Sequence, residues 1–188
     1  MQRWWQVWGM VAVLVGASAG AAHAQTVEVG GHATYLDIGV LGESAWGVGG
    51  RVGVETAGLI TLEGEVNVFG EQPVTGRRVQ ALGGLKLGGR TNAYGLFAKL
   101  RPGVLHFAND FIMPGTACIA VVPTPVECLA ARNNFILDFG SVIELYPSAR
   151  SLIRVDVGTT YLWLGSRGEH PTSRSGNLQL SVGAGLRF

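Results

Sequence analysis

The residues that could do chemistry in this chain come mostly as charges two positions apart. In the run LFAKLRPG, Lys99 and Arg101 are separated by one apolar residue, so an extended backbone turns both cations to the same side. Such a pair can hold a small anion, or it can be answered by carboxylates on the next strand, and Asp138 and Glu144 are the partners favoured here. Glu63 and Glu65 share a face in the same way, an arrangement that suits acid/base work or a bound cation and, more often, structural ion pairing. His106 and Ser141 are the candidate base and nucleophile of a lipid-acting enzyme, since both fall on the apolar side of their strands. Counting places Ser141 opposite about Leu100, roughly 20 Å below His106 at ~3.3 Å per residue, too far for a hydrogen-bonded pair. His170, with Ser166, Ser173 and Ser175, lies in a polar stretch of ordinary loop composition. No phosphate-binding loop, HExxH motif or metal-ligand cluster occurs, and no catalytic residue, metal or cofactor is assigned.

Cys118 and Cys128 lie in a segment that also holds Pro114, Pro123 and Pro125. In an exported chain this reads as a disulfide closing a short loop. Free thiols and a metal pair are the weaker alternatives, because two cysteines cannot complete a tetrahedral zinc site and no histidine is near.

The elements that position these residues announce themselves by a period of two. Trp46, Val48, Gly50, Val52 and Val54 alternate with Gly47, Gly49, Arg51, Gly53 and Glu55; Ile60 to Phe69 repeats the pattern around Glu63 and Glu65. The same alternation returns in 79–90, 94–107, 134–146, 152–164 and 177–188, and more weakly in 27–38, which brings the strand count to eight. Connections at 56–58, 90–93 and 147–150 are tight; those at 37–45, 70–76, 108–133 and 165–175 are longer. Short turns at one end and long loops at the other predict an all-β fold, an eight-stranded antiparallel up-and-down transmembrane β-barrel with short periplasmic turns and longer extracellular loops.

Alternation alone leaves the direction of the apolar face open, inward as in a soluble barrel or outward into lipid. The polar face is rich in glycine, which suits a cramped lumen, and carries few lysines. Aromatic residues gather at strand ends, Tyr35, Trp46, Phe135, Tyr161 and Trp163 at one end and Tyr94 and Phe188 at the other, as two interfacial girdles would. The outward-apolar reading follows. Its lumen receives Glu28, Glu55, Glu63, Glu65, Asp138, Glu144 and Asp156 against Arg51, Arg78, Lys86, Arg90, Lys99, Arg101, Arg154 and Arg187. Buried charges are tolerated only when paired, which predicts an ion-pair plug in place of an open channel. Turn counting sets Arg51 opposite Glu65, Arg154 near Glu144, and Arg187 against Glu28 across the seam.

Residues 1–24 differ from the rest. Arg3 precedes the apolar run WWQVWGMVAVLVGASAG, and Ala22-His23-Ala24 has the form accepted at signal cleavage, so 1–24 reads as a cleaved signal peptide and 25–188 as the barrel. Loss of Arg3 leaves 13 basic and 13 acidic residues, and no basic patch points to nucleic acid.

These strands, the run GLKLGGRTNAYGLFAKLRPGVLHF from Gly84 to Phe107, and a final strand ending Leu186-Arg187-Phe188 together resemble the OmpA/OmpX-type outer-membrane β-barrel family. The resemblance spans nearly all of 25–188. It implies the bacterial outer membrane, contact with its lipid and lipopolysaccharide, and a structural, adhesive or host-interacting role. It also implies that Leu186 and Phe188 serve as an insertion signal read by the barrel-assembly machinery. An extracellular partner is expected at 108–133, the longest loop.

Overall fold

The computed structural model describes residues 26–112, 114, 129–165 and 173–188. Eight strands follow one another around a closed barrel: β1 (Val27–Ile38), β2 (Glu43–Ala57), β3 (Ile60–Gln72), β4 (Gly76–Arg90), β5 (Tyr94–Phe107), β6 (Asn133–Ser148), β7 (Ser151–Leu164) and β8 (Ser173–Arg187). Each pairs antiparallel with its sequence neighbour, and β1 pairs with β8 to close the ring. The closing seam begins at Val27 and Phe188, whose backbone N–H groups donate to each other's carbonyls at 3.2 and 2.9 Å. Closure satisfies the wall's backbone groups within the protein, the condition for a sheet that lies in hydrocarbon.

The tight turns sit where the sequence puts them, but two expected long loops do not form. β1 runs on to Ile38 and β2 starts at Glu43, so a single 3₁₀ turn at Gly39–Leu41 joins them, closed by Gly42 in the left-handed region at φ 61°. β3 and β4 likewise extend to Gln72 and from Gly76. Among the described strands, the long separations are those between β5 and β6, over 108–132, and between β7 and β8, over 165–172. Strand β8 also rises above its seam partner, pairing with β1 only as far as Leu36↔Gln179 while its pairing with β7 continues to Leu164↔Ser173.

The outer wall is apolar and exposed. Val48, Val66, Leu96, Leu100, Ile143, Val157 and Val182 all face out, and aromatic side chains mark both rims. Trp46, 70% exposed, packs on Tyr35 with ring centroids 5.2 Å apart, and Phe135 packs on Trp163 at the same distance. Tyr94 and Phe188 stand exposed at the short-turn rim. A wall of this kind is stable against lipid, whereas in water it would expose a continuous apolar belt.

Candidate functional site

The lumen is the place where charge and polarity converge, and it is stratified. At the short-turn end, Lys86 Nζ on β4 lies 2.8 Å from Glu28 Oε2 on β1 and 2.6 Å from Glu144 Oε1 on β6, with the Phe97 ring 4.5 Å below it. Arg90 reaches Glu28 and Glu55, both at 3.2 Å. Arg187 approaches Glu28 at 3.5 Å and lies over the Tyr146 ring, whose hydroxyl donates to Glu144 Oε2 at 2.6 Å.

In the middle, Arg154 on β7 reaches across the bore to Glu63 on β3 with both terminal nitrogens, and donates to Asp156 from Nε at 2.9 Å and Nη2 at 2.8 Å. Arg101 donates to Asp138 Oδ2 through Nε at 2.9 Å and Nη2 at 2.7 Å, and to Glu65 Oε2 through Nη1 at 2.6 Å. Lys99 faces Asp138 at 3.0 Å and Asp156 at 3.6 Å, while Arg51 donates to Asp156 at 3.1 Å. Charges removed from water are tolerable in such arrangements because Glu63, Asp138 and Asp156 each meet more than one cation and Glu65 adds a hydrogen bond from Asn67 to its pairing with Arg101. A gap of about 10 Å³, room for roughly one water, lies among Glu28, Arg51, Glu63 and Arg154.

Above the charges comes a neutral polar layer. His32 Nε2 and Asn67 Oδ1 are 2.7 Å apart, Asn67 donates to Glu65 and Gln80, and Gln80 and Gln179 exchange amide hydrogen bonds at 3.1 and 3.2 Å. Room for these side chains comes from glycine. A Cβ on Gly49 would collide with Asn67 Oδ1 and come within 2.6 Å of His32 Nε2. The long-loop end holds a buried apolar cluster that includes Leu36, Ile38, Phe69, Leu105, Phe107, Ile136, Leu162 and Leu164. Beside it, Glu43 accepts from Arg78 Nη2 at 2.5 Å, from the Thr75 hydroxyl at 2.8 Å and from the Val74 N–H at 2.9 Å.

The charged residues assigned to the lumen from the sequence face this interior. Register sets Arg51 opposite Glu65, Glu144 opposite Arg154 and Glu28 opposite Arg187. The side chain of Arg51, however, turns to Asp156, because Glu65 is taken up by Arg101 and Asn67. Lys99 and Arg101 share Asp138, whereas Glu144 belongs to Lys86, Arg154 and Tyr146. Glu43 and the apolar cluster were not anticipated. Glu43 fell in a stretch read as loop, and the cluster consists of inward positions at strand tops where both faces are apolar.

Ser141 stands opposite Ala98 and His106 opposite Asn133, eight positions apart along β5, about 26 Å at ~3.3 Å per residue. His106 Nδ1 is instead 2.7 Å from Asn133 Oδ1. Among the described residues no group of His, Cys, Asp and Glu has metal-site geometry. Residues 1–24, Cys118, Cys128, Ser166 and His170 lie outside the described residues.

The described bases of the 108–132 connection are well ordered by contacts. Phe111 packs edge-on against Phe107 at 5.2 Å, the Ala130 N–H donates to the Phe111 carbonyl at 2.9 Å, and Ile112 bridges to Leu129. Outside this stem, Arg132 Nε and Asp110 Oδ1 lie 2.7 Å apart.

No protein-family model matches the chain, and no curated protein matches it. Solved structures do. The N-terminal β-barrel domain of Pseudomonas aeruginosa OprF aligns with a TM-score of 0.52 at 12% identity, over 87% of this chain and 97% of that one. Neisserial surface protein A aligns at 0.51 and 12%, over 88% and 96%; Pseudomonas aeruginosa OprG aligns at 0.50 and 11%, over 87% and 95%. At such identities the likeness is one of fold, that of the OmpA/OmpX-type eight-stranded outer-membrane barrels. The apolar, aromatic-rimmed exterior agrees with that fold, and the chain is an integral outer-membrane β-barrel.

Proposed function

We propose that this integral outer-membrane β-barrel is a non-conducting structural or surface-interaction protein, its lumen a fixed plug and its contacts made through the 108–133 connection. The observation that carries the reading is the set of ion pairs between strands that are not neighbours: Lys86 with Glu28 and Glu144, Arg154 with Glu63, Arg101 with Glu65, Arg51 with Asp156. These links cross the bore, and the apolar cluster lies above them. An ion entering would have to displace partners that are buried away from bulk water, a penalty that opposes conduction. The well-held base of the 108–132 connection supports its use as the exposed contact surface, since long loops on rigid scaffolds tend to carry binding.

Planar-bilayer recording tests the plug. Insertion of the folded barrel is expected to leave conductance at the level of the bare bilayer, and a steady unitary conductance would overturn the reading. Lipid A from cells with and without the protein is expected to give the same mass spectrum; a protein-dependent mass change would instead support a lipid-modifying enzyme. Deleting 117–129 while keeping the barrel tests the contact surface, with loss of cell-surface binding as the expected result.

A further inference from the structure

A groove of about 510 Å³ opens on the lipid-facing side of the wall, high on the β6–β7–β8 face, lined by Leu137, Tyr161, Trp163, Arg174, Ser175 and Gly176. It exists for two local reasons. Gly176 stands opposite Tyr161 and has no side chain, so the Tyr161 ring lies 3.5 Å from where a Cβ would be. In addition, β8 above Gln179 has lost its β1 partner, which leaves the groove open along that edge. Its aromatic wall is braced from behind, Phe139 stacking on Tyr161 at 5.5 Å and Trp163 lying between Tyr161 and Phe135.

Arg174 sits at the upper end of this groove, directly opposite Trp163 on the girdle level, exposed and facing outward. Among the described residues no carboxylate forms an ion pair with it. A cation at the interface above an apolar slot matches a ligand with a phosphate at one end and hydrocarbon at the other. Because the wall faces the bilayer, a lipid is the molecule that covers it. We propose that this groove binds one phosphorylated lipid of the outer leaflet, its headgroup phosphate on Arg174 and one acyl chain lying over Gly176 against Tyr161, Trp163 and Leu137. The inference rests on the outer-membrane placement of the barrel and is independent of whether the lumen conducts.

Native mass spectrometry of the full protein extracted from membranes tests it, with phosphatidic acid and phosphatidylcholine of identical acyl chains as probes. Single-lipid occupancy by phosphatidic acid is expected to exceed that by phosphatidylcholine about fivefold, the effect of one basic residue at a membrane surface. Arg174→Gln should equalise the two lipids, Gly176→Leu should lower occupancy by both, and Arg77→Gln, an exposed cation outside the groove, should leave the preference intact. Equal occupancy in the unaltered protein, or a preference that survives Arg174→Gln, overturns the proposal. Retention of inorganic phosphate as readily as of phosphatidic acid would assign a free-anion site and overturn it as well. Recovery of the protein in the outer-membrane fraction reports its placement and heat-shifted gel mobility of every variant reports whether the barrel has formed, so a failure of either is read separately from a failure of lipid binding.

Discussion

Lys86 and Glu144 belong to β4 and β6, two strands with β5 between them, yet their Nζ and Oε1 atoms are 2.6 Å apart inside the bore. Lys86 is fully buried and its ammonium also meets Glu28 at 2.8 Å and Glu63 at 3.6 Å. One cation therefore holds together carboxylates from three other strands.

Lys86→Met keeps an unbranched side chain, one atom shorter, and removes its charge. Glu28, Glu63 and Glu144 are then left with less positive charge than they need, and breaking a buried ion pair from one side costs about 3–5 kcal/mol. Urea unfolding of the barrel in detergent micelles should show a midpoint lowered accordingly; an unchanged midpoint would mean that the network relaxes freely around the loss.

Gly49→Ala asks whether the neutral layer is tightly packed. The added methyl would meet Asn67 Oδ1, His32 Nε2 and the Val66 carbonyl, the last of these part of the wall itself. Overpacking of this type costs about 1–3 kcal/mol. Shortening the obstacle as well, in Gly49→Ala with Asn67→Ala, should recover only part of the loss of Gly49→Ala, since the Val66 carbonyl remains; full additivity of the two single losses would show that the side chains do not interact.

Glu43→Gln leaves the buried Arg78 guanidinium without its anion and weakens the hold on Val74. Amide exchange at Val74 should accelerate well ahead of exchange in mid-strand β3, because the 73–75 turn is fastened through that carboxylate. Equal acceleration throughout the barrel would indicate a global loss of stability and not a local latch.

Phe111→Ala removes a buried ring from the stem of the long connection. Protease cleavage within 108–132 should become faster while the heat-shifted mobility of the barrel is retained, since Phe111 packs on Phe107 above the ion-pair layers. Loss of the folded mobility itself would mean that the stem is part of the barrel's cooperative unit.

Period-two alternation was enough to give eight strands, their faces and the pairing of neighbours, because a tight turn fixes the register on both sides of it. Arg51↔Glu65 and Glu144↔Arg154 were legible for that reason. Contacts across the bore were not, since Lys86 with Glu144 or Arg154 with Glu63 depends on how the ring closes and on which long side chain outcompetes another. Arg51 illustrates the point: its facing residue is Glu65, yet its partner is Asp156. The inward apolar cluster escaped for a different reason. In Tyr35-Leu36, Phe135-Ile136 and Trp163-Leu164 both faces are apolar, so the pattern records a strand but not a change in what the lumen contains. Strand ends were misjudged at Glu43 and Gln72, where polar residues that continue a strand look the same as those that begin a loop.

The seam between β1 and β8 joins the two ends of the barrel sequence, with Val27 and Phe188 bonded to each other. Every other strand pair can zip from a connection along the chain, but this pair has none, and its meeting requires closure of a loop that contains all the rest. The seam is therefore the pairing with the largest loop-closure cost of the eight. In a barrel built this way, that one pairing is what separates a closed wall from an open sheet whose β1 and β8 edges are bare.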